Sequence, residues 1–515
     1  MRKLPVLRLI GSTMALTVMV APASAQSSDA LWDLLADGLA EDTGSPAPSS
    51  TPETASAGSG EGDIWDMLEG AQTQDLSSEA SDSEGSDPDD ADAAAVADAH
   101  AAFPDSVSAQ ERFPLRVTAF GYATFATAPQ NDRRFSRRRA GIAEYGSALR
   151  IHYDEWVADQ LRVRAEVIGE LDRSRSTRNG RRDQVGIGES FVHFAPTDSL
   201  WFRGGNLTVP FGTSDAFPIL DVFTPRHDRL WGIDHPFGEH LPIPAGQIVW
   251  THGNFRLQTV VSAAFRGNRV AGAFLDHDYH VRDRIGTNLH ERNRPDSFRP
   301  EWVTSLNYFG SGLDLGLTFG EVYAKSPTLR GIGIGSQGLM LDTHHPRIGF
   351  IGASAAKTMG DWLLRGDAGY FRGETFFNQD FYTDPFNAPG EHVSDVARGV
   401  IGLEYSGFSN TVLSLEYSHE AIQNWKPGMR MDRTSNSIAV NARFQLLSET
   451  LALEFTAASL ANHAASVLRA KAEYSVSDTQ TLTLQWTNYN SHKRDGFMAP
   501  YERSDRVYME WRASF

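Results

Sequence analysis

From Pro114 to its last residue the chain alternates apolar and polar positions at period two, in segments of about ten residues. In "LRVRAEV", Leu161, Val163, Ala165 and Val167 share one face and Arg162, Arg164 and Glu166 the other. "FRLQTVVSAAF" sets Phe255, Leu257, Thr259, Val261, Ala263 and Phe265 against Arg256, Gln258, Ser262 and Arg266. "LDLGLTFG" divides into Leu313, Leu315, Leu317 and Phe319 against Asp314, Gly316 and Thr318, and "WLLRGDAGY" into Trp362, Leu364, Ala368 and Tyr370 against Arg365 and Asp367. "SIAVNARFQ" opposes Ile438, Val440, Ala442 and Phe444 to Asn441, Arg443 and Gln445. The closing "DRVYMEWRASF" opposes Val507, Met509, Trp511, Ala513 and Phe515 to Arg506, Tyr508, Glu510, Arg512 and Ser514. Successive side chains of a strand point to opposite faces, so each segment serves one apolar and one polar environment.

Strands are predicted near 114–126, 141–153, 159–170, 185–196, 199–209, 244–251, 254–266, 300–309, 312–323, 346–358, 361–372, 394–406, 410–420, 434–446, 450–460, 465–475, 480–490 and 504–515. Connections after even-numbered strands are short, as in "HGN", "GSG", "MGD" and "SVSD"; those after odd-numbered strands are mostly long, above all at 210–243 and 267–299. A soluble sandwich also alternates. An even strand number with short turns at one end and long loops at the other instead describes an all-β, transmembrane antiparallel barrel of about 18 strands, apolar faces on lipid and polar faces on the lumen. Trp201, Trp250, Trp302, Tyr308, Trp362, Tyr370, Tyr405, Trp486 and Trp511 lie near strand ends, where interfacial girdles need aromatic rings. The last strand is expected to close the barrel on the first, near Arg116 to Phe125.

The preceding residues have another character. Arg2, Lys3 and Arg8, an apolar run from Leu9 to Val20 and Ala23-Ser24-Ala25 form the three regions of a secretory signal peptide, residues 1–25. Residues 26–110 hold 20 acidic side chains and no Lys or Arg, which accounts for the net charge of −18. This tract of Ser, Ala, Asp, Gly and Pro is expected to be a disordered periplasmic leader. It is broken by "LWDLL" and "IWDML", where Trp32, Leu35, Trp65 and Leu68 suit a segment that docks in a partner's groove. The segment 111–515 is close to neutral, and no basic face points to nucleic acid. With no cysteine there is neither disulfide nor thiolate metal site.

The terminal strand ending in Phe515 resembles that of outer-membrane porins, which implies integral placement in a Gram-negative outer membrane, contact with its lipid and lipopolysaccharide, and handling by the barrel-insertion machinery. "WFRGGNLTVPFG", Trp201 to Gly212, resembles the strand of phosphate-selective porins that ends in a Pro-Phe-Gly turn. "FPILDVFTPR", Phe217 to Arg226, is similar to the Leu-Asp-x-x-Asn-Pro signature of alginate-export-type barrels, with Thr224 in place of Asn.

These features lead to a porin-like channel for passive diffusion or export of small or anionic solutes, without enzymatic activity or cofactor. A barrel of this width has an aqueous lumen unless loops fill it. The third external loop (210–243) is too apolar to stay in water, and folding inward would constrict the pore with Asp215, Asp221, Arg226, Asp228, Arg229 and Glu239. Arg162, Arg164, Arg256, Arg365 and Arg443 are expected on the lumen wall, either attracting anions or paired with carboxylates across strands. Arg133, Arg134, Arg137, Arg138 and Arg139 in the first loop, with Arg173, Arg175, Arg178, Arg181 and Arg182 in the second, form an anion-attracting mouth or bind lipopolysaccharide phosphates. Two other readings stay open: a barrel that anchors a periplasmic assembly recruited by the leader, and a loop-borne hydrolase. The second would draw on Asp276, His277, Asp278 and His280, or on Asp342, His344 and His345, although no third metal ligand, nucleophile elbow or zinc-protease motif accompanies them.

Overall fold

The computed structural model describes residues 114–126, 141–174, 182–227, 240–268, 290–295, 299–335, 338–378, 380, 389–429, 431–492 and 505–515. The strands are β1 Leu115–Ala126, β2 Gly141–Ala158, β3 Leu161–Ser174, β4 Arg182–Ile187, β5 Ser190–Thr197, β6 Leu200–Leu207, β7 Ile243–His252 and β8 Phe255–Ser262. After β9 His290–Pro295 come β10 Glu301–Gly310, β11 Leu313–Tyr323, β12 Thr328–Gly335 and β13 Gly338–His345. The second half comprises β14 Arg347–Met359, β15 Trp362–Phe377, β16 Glu391–Phe408, β17 Thr411–Ile422, β18 Thr434–Leu446, β19 Leu451–Leu460, β20 Ala465–Ser477, β21 Gln480–Ser491 and β22 Arg506–Ser514.

Nineteen of these strands form one sheet in which every barrel neighbour is antiparallel. Both β4 and β5 pair with β3, at Val167–Asp172 and Leu161–Arg164, so together they make one wall strand interrupted at Gly188 and Glu189. The wall therefore has 18 strands. It closes where β1 pairs with β22, Thr118 opposite Ser514 through Ala126 opposite Arg506. Closure leaves no sheet edge at the seam, the condition for carrying a sheet through hydrocarbon. All 18 strands expected from alternation are present. One is shorter than its pattern: β8 ends at Ser262, so Ala263 to Arg266 leave the wall and the Arg266 guanidinium donates to the Pro242 carbonyl (2.7 Å).

Burial follows the inverted rule of a membrane barrel. Large apolar side chains stand exposed along the strands, among them Leu315, Leu317, Ile351, Ile401, Leu415, Val440, Leu484 and Met509, while Glu166, Asp367, Glu416, Arg469 and Arg506 on the opposite face are buried. In water the outer face would be an untenable apolar surface; in lipid it is the face that gains. Trp250, Trp362, Tyr370, Trp486 and Trp511 stand exposed on this outer face. Trp201 does not. Its neighbour Phe202 takes the lipid side, and the Trp201 ring turns into the lumen against His193 (centroids 5.1 Å apart) and Arg203 (4.8 Å).

On the long-loop side, β9, β12 and β13 make a separate three-stranded sheet, β9 parallel to β13 and β12 antiparallel to it. Alternation alone predicts loop for 324–345 and for the end of 267–299.

Candidate functional site

The loop that follows β6 crosses the lumen. Its apolar residues are the core of the molecule: Val209, Phe211, Phe217, Ile219, Leu220 and Phe223 are all buried, Phe217, Leu220 and Phe223 to 0 % exposure. They pack into one cluster with the inward side chains of the wall, among them Val303, Ile348, Phe350, Phe371, Val400 and Ala439. Burying such residues removes the penalty that an apolar loop would incur in water.

What fixes the loop in place is polar. Five consecutive residues present their backbone N–H groups to two carboxylates of the far wall, six and eight strands round from β6. Thr213 N (3.1 and 3.0 Å) and Ser214 N (3.0 Å) donate to Asp367 of β15, joined by the Thr213 hydroxyl (2.8 Å). Asp215 N (2.9 Å), Ala216 N (2.9 Å) and Phe217 N (3.1 Å) donate to Glu416 of β17. Each N–H would otherwise be a buried donor without an acceptor, and an ionised acceptor makes the bond about twice as strong as a neutral one. Arg365 lies between, its Nη2 3.2 Å from Glu416, 3.8 Å from Glu404 and ion-paired with Asp215. Burial raises the Asp215 carboxyl above the ordinary carboxylate range, against the pull of Arg365.

The residues behind the two resemblances in the sequence have structural roles. Gly212 ends the Pro-Phe-Gly turn at φ 97°, a left-handed conformation, and a Cβ there would stand 2.8 Å from an Asp367 oxygen. Leu220 seats against the wall glycines Gly352 and Gly369; a Cβ on Gly352 would collide with its methyl groups. Thr224 closes the base of the loop, its hydroxyl donating to Val209 O and accepting from Val209 N, both at 3.0 Å. Asp221 accepts from His240 Nε2 (2.8 Å) and Arg226 (3.4 Å).

Among the predicted pore residues, Asp215, Asp221, Arg226 and Arg365 are thus brought to the loop and its anchorage. Asp228, Arg229 and Glu239 lie outside the described residues. Arg162, Arg164 and Arg256 face the lumen on the other wall. Arg162 holds Asp154 with two bonds (2.7 and 2.8 Å), and Arg164 lies 3.3 Å from Glu189 and 3.5 Å from Glu166. Arg443 stands opposite Glu454 across β18 and β19. Pairing of wall charges is therefore the rule, with Arg469–Glu454 (3.0 Å) and Lys471–Glu473 (3.5 Å) as further cases.

Of the arginine-rich mouth, Arg133, Arg134, Arg137, Arg138, Arg139, Arg175, Arg178 and Arg181 lie outside the described residues. So do Trp32, Leu35, Trp65 and Leu68 of the leader. Arg182 begins β4, and Arg173 donates to the Asp172 carbonyl (2.8 Å). Asp276, His277, Asp278 and His280 are likewise outside. His344 contacts Glu391 (2.7 Å) and Arg330 (2.8 Å), and His345 donates to Ala324 O (2.7 Å). Among the described residues no group of three His, Asp or Glu could hold a metal ion.

One buried network was not anticipated. Arg398 of β16 forks onto Glu374 of β15 (2.6 and 2.7 Å) and reaches Glu420 of β17 (2.7 Å). Glu374 lies beyond the strand predicted over 361–372; in the structure β15 continues through "RGETFF" to Phe377.

An outward apolar belt, a lumen lined by charges and a closed wall of 18 strands occur together in one membrane environment. The chain is a closed, 18-stranded transmembrane β-barrel. No family model and no curated protein matches it. Among solved structures, OccAB4 of Acinetobacter baumannii is similar over 78% of this chain and 97% of its own, with 9% identity and a TM-score of 0.44. OpdL of Pseudomonas aeruginosa is similar over 78% and 98%, with 10% identity and a TM-score of 0.43. For Salmonella typhi OmpF, in complex with daunomycin, the values are 78%, 97%, 9% and 0.38.

Proposed function

We propose that the protein is a passive channel for small solutes across the outer membrane, narrowed where the loop 210–243 crosses the lumen. The observation that carries this is the capture of five consecutive N–H groups, Thr213 to Phe217, by Asp367 and Glu416 of the far wall. A loop that merely covered the outside would have no use for two wall carboxylates; one that sets an aperture must be held rigid from both sides.

Asp215, partly exposed beside Arg365, and Glu404 give the loop side of the aperture its negative charge. Arg150, Arg203 and Arg256 lie on the wall formed by β2, β6 and β8, so a solute passes between opposite charges. Such a transverse arrangement favours small polar and charged solutes and disfavours bulky apolar ones. The arginine-rich sequences of the first and second loops add a preference for anions. A hydrolase reading has less support, because His344 and His345 are engaged by Glu391, Arg330 and Ala324. Liposome swelling with neutral sugars of graded size tests the aperture. Swelling should fall steeply with size in the wild type and less steeply once 215–240 is deleted; equal slopes would refute the constriction.

A further inference from the structure

The base of the pore loop and the surface sheet of β9, β12 and β13 meet at one packed cluster that the anchorage on Asp367 and Glu416 does not involve. β13 ends at His345, which is buried and donates through Nδ1 to the Ala324 carbonyl (2.7 Å). Its ring lies 4.6 Å from that of Phe265, and Phe265 stands edge-on to Tyr323 (5.5 Å, 77°). Lys325, next to Ala324, is also buried. Its Nζ donates to Glu301 of β10 (2.6 Å) and lies 5.6 Å from the Phe265 ring and 5.8 Å from that of Phe223, a residue of the pore loop. A backbone thread accompanies the rings. The Lys325 carbonyl accepts from Asn268 N (2.9 Å), and the Asn268 side chain accepts from Arg226 N at the foot of the loop (2.9 Å). Surface sheet, connecting segments and pore loop are therefore in continuous contact, which is how one packed element biases another.

Charge makes this junction sensitive. The titratable and charged groups on the elements packed around His345 are Lys325 and Tyr323 after β11, Glu301 of β10, Arg266 after β8, Arg347 at the start of β14 and His344 beside it in β13. Glu301 is engaged by Lys325 and the Tyr323 N–H, Arg266 by the Pro242 carbonyl, Arg347 by Glu321 (2.8 Å) and His344 by Glu391 (2.7 Å). Among the described residues no carboxylate lies within ion-pair distance of His345 itself. Burial keeps its imidazole neutral, and Lys325 and His344 add to that. A proton on His345 puts a second cation into a cluster that holds one carboxylate, where water screens little of the repulsion. Separation relieves it: the end of β13 moves off Phe265 and Lys325, and Phe223 loses the neighbours that hold it.

We propose that His345, Phe265 and Lys325 form a proton-sensitive latch through which the surface sheet holds the base of the pore loop, so that acid at the long-loop mouth frees that base. The consequence for flux rests on the reading of 210–243 as the element that narrows the channel. The latch is fully closed above the ordinary imidazole range and weakens as pH falls below it, because the released imidazole binds the proton more tightly than the packed one.

The test needs no current. The chain has no cysteine, so Val222→Cys, beside Phe223, carries a single nitroxide in the full-length protein. From pH 7.5 to pH 5 the mobile fraction of its spectrum should rise roughly tenfold, the order set by a proton that binds the released imidazole alone. Protonation of the loop's carboxylate anchors also loosens it, so each titration is paired with one in a His345→Gln background, where glutamine keeps a donor for the Ala324 carbonyl but takes up no proton; there the rise should be roughly twofold or less. Lys325→Met with Glu301→Gln, which removes the like charge, should flatten the rise in the same way. No rise in the parent protein, or an equal rise with and without His345 in barrels shown to be folded by heat-modifiable mobility, would overturn the proposal. A pH step in label mobility with no matching step in solute flux would support the latch and refute instead the assignment of the loop as the constriction.

Discussion

Removing the loop's anchors is the sharpest perturbation the structure offers. Glu416→Ala deletes the acceptor of three backbone N–H groups, at 2.9, 2.9 and 3.1 Å, and a partner of Arg365 at 3.2 Å. Bonds to an ionised group contribute about 1.5–3 kcal/mol each, but lumen water re-solvates much of what is freed, so the net loss is about 2–4 kcal/mol. Asp367→Ala removes a comparable set on the neighbouring two residues. The pair shares Arg365 and one loop, so the two losses need not add, and the double variant should lose about 4–6 kcal/mol. The apolar seat of Phe217, Leu220 and Phe223 remains, so each single variant should show brief excursions to a larger current, and the double variant should spend most of its time there. Single-channel recording reads this as excess open-channel noise and then as a higher mean conductance. A double variant with unchanged heat-modifiable mobility on gels, and thus a folded barrel, but with wild-type conductance and noise would refute the anchoring argument.

Three further outcomes follow from the same contacts. Gly352→Val places a side chain where Leu220 sits, so the loop should lift and conductance should rise while the barrel stays folded. Asp215→Asn with Glu404→Gln should shift the reversal potential in a salt gradient toward anions. Because burial raises the Asp215 carboxyl, acidification of the wild type should begin that shift above the pH at which an ordinary aspartate protonates; a selectivity flat from pH 7 to pH 4 would contradict it. His345 is held neutral by burial, its pKa lowered to about 4 from 6.5. The unfolded hairpin takes up a proton first as pH falls, so stability is full above pH 6.5 and is lost progressively toward pH 4, by about 3 kcal/mol in the limit. Hydrogen exchange of β12 and β13, corrected for the intrinsic pH dependence, should accelerate over that window, and not in His345→Gln.

The barrel was legible in the sequence because lipid reads every second residue. Alternation fixes which face of β11 or β18 is apolar, and loop lengths separate the two ends. Local breaks were not legible. The interruption of β4 and β5 at Gly188 depends on where β3 and β6 stop pairing, and the Trp201 inversion on a single choice of which aromatic, Trp201 or Phe202, faces lipid. The β12–β13 hairpin lies in a stretch rich in glycine, "RGIGIGSQG", whose alternation lacks large side chains. For the site, the apolar run 217–223 announced a loop that must be buried, and Asp367 was legible as a lumen residue from the alternation of "WLLRGDAGY". That Asp367 and Glu416 bind the loop was not, because the contacts span some 150 to 200 positions of chain, and neither partner's local sequence encodes the other.

The central claim is that this barrel is an open, water-filled path. Wild-type protein reconstituted in a planar bilayer should insert in discrete steps of ohmic current that scale with salt concentration. Insertion of folded barrels without any current step, in the wild type and after deletion of 215–240 alike, would contradict it.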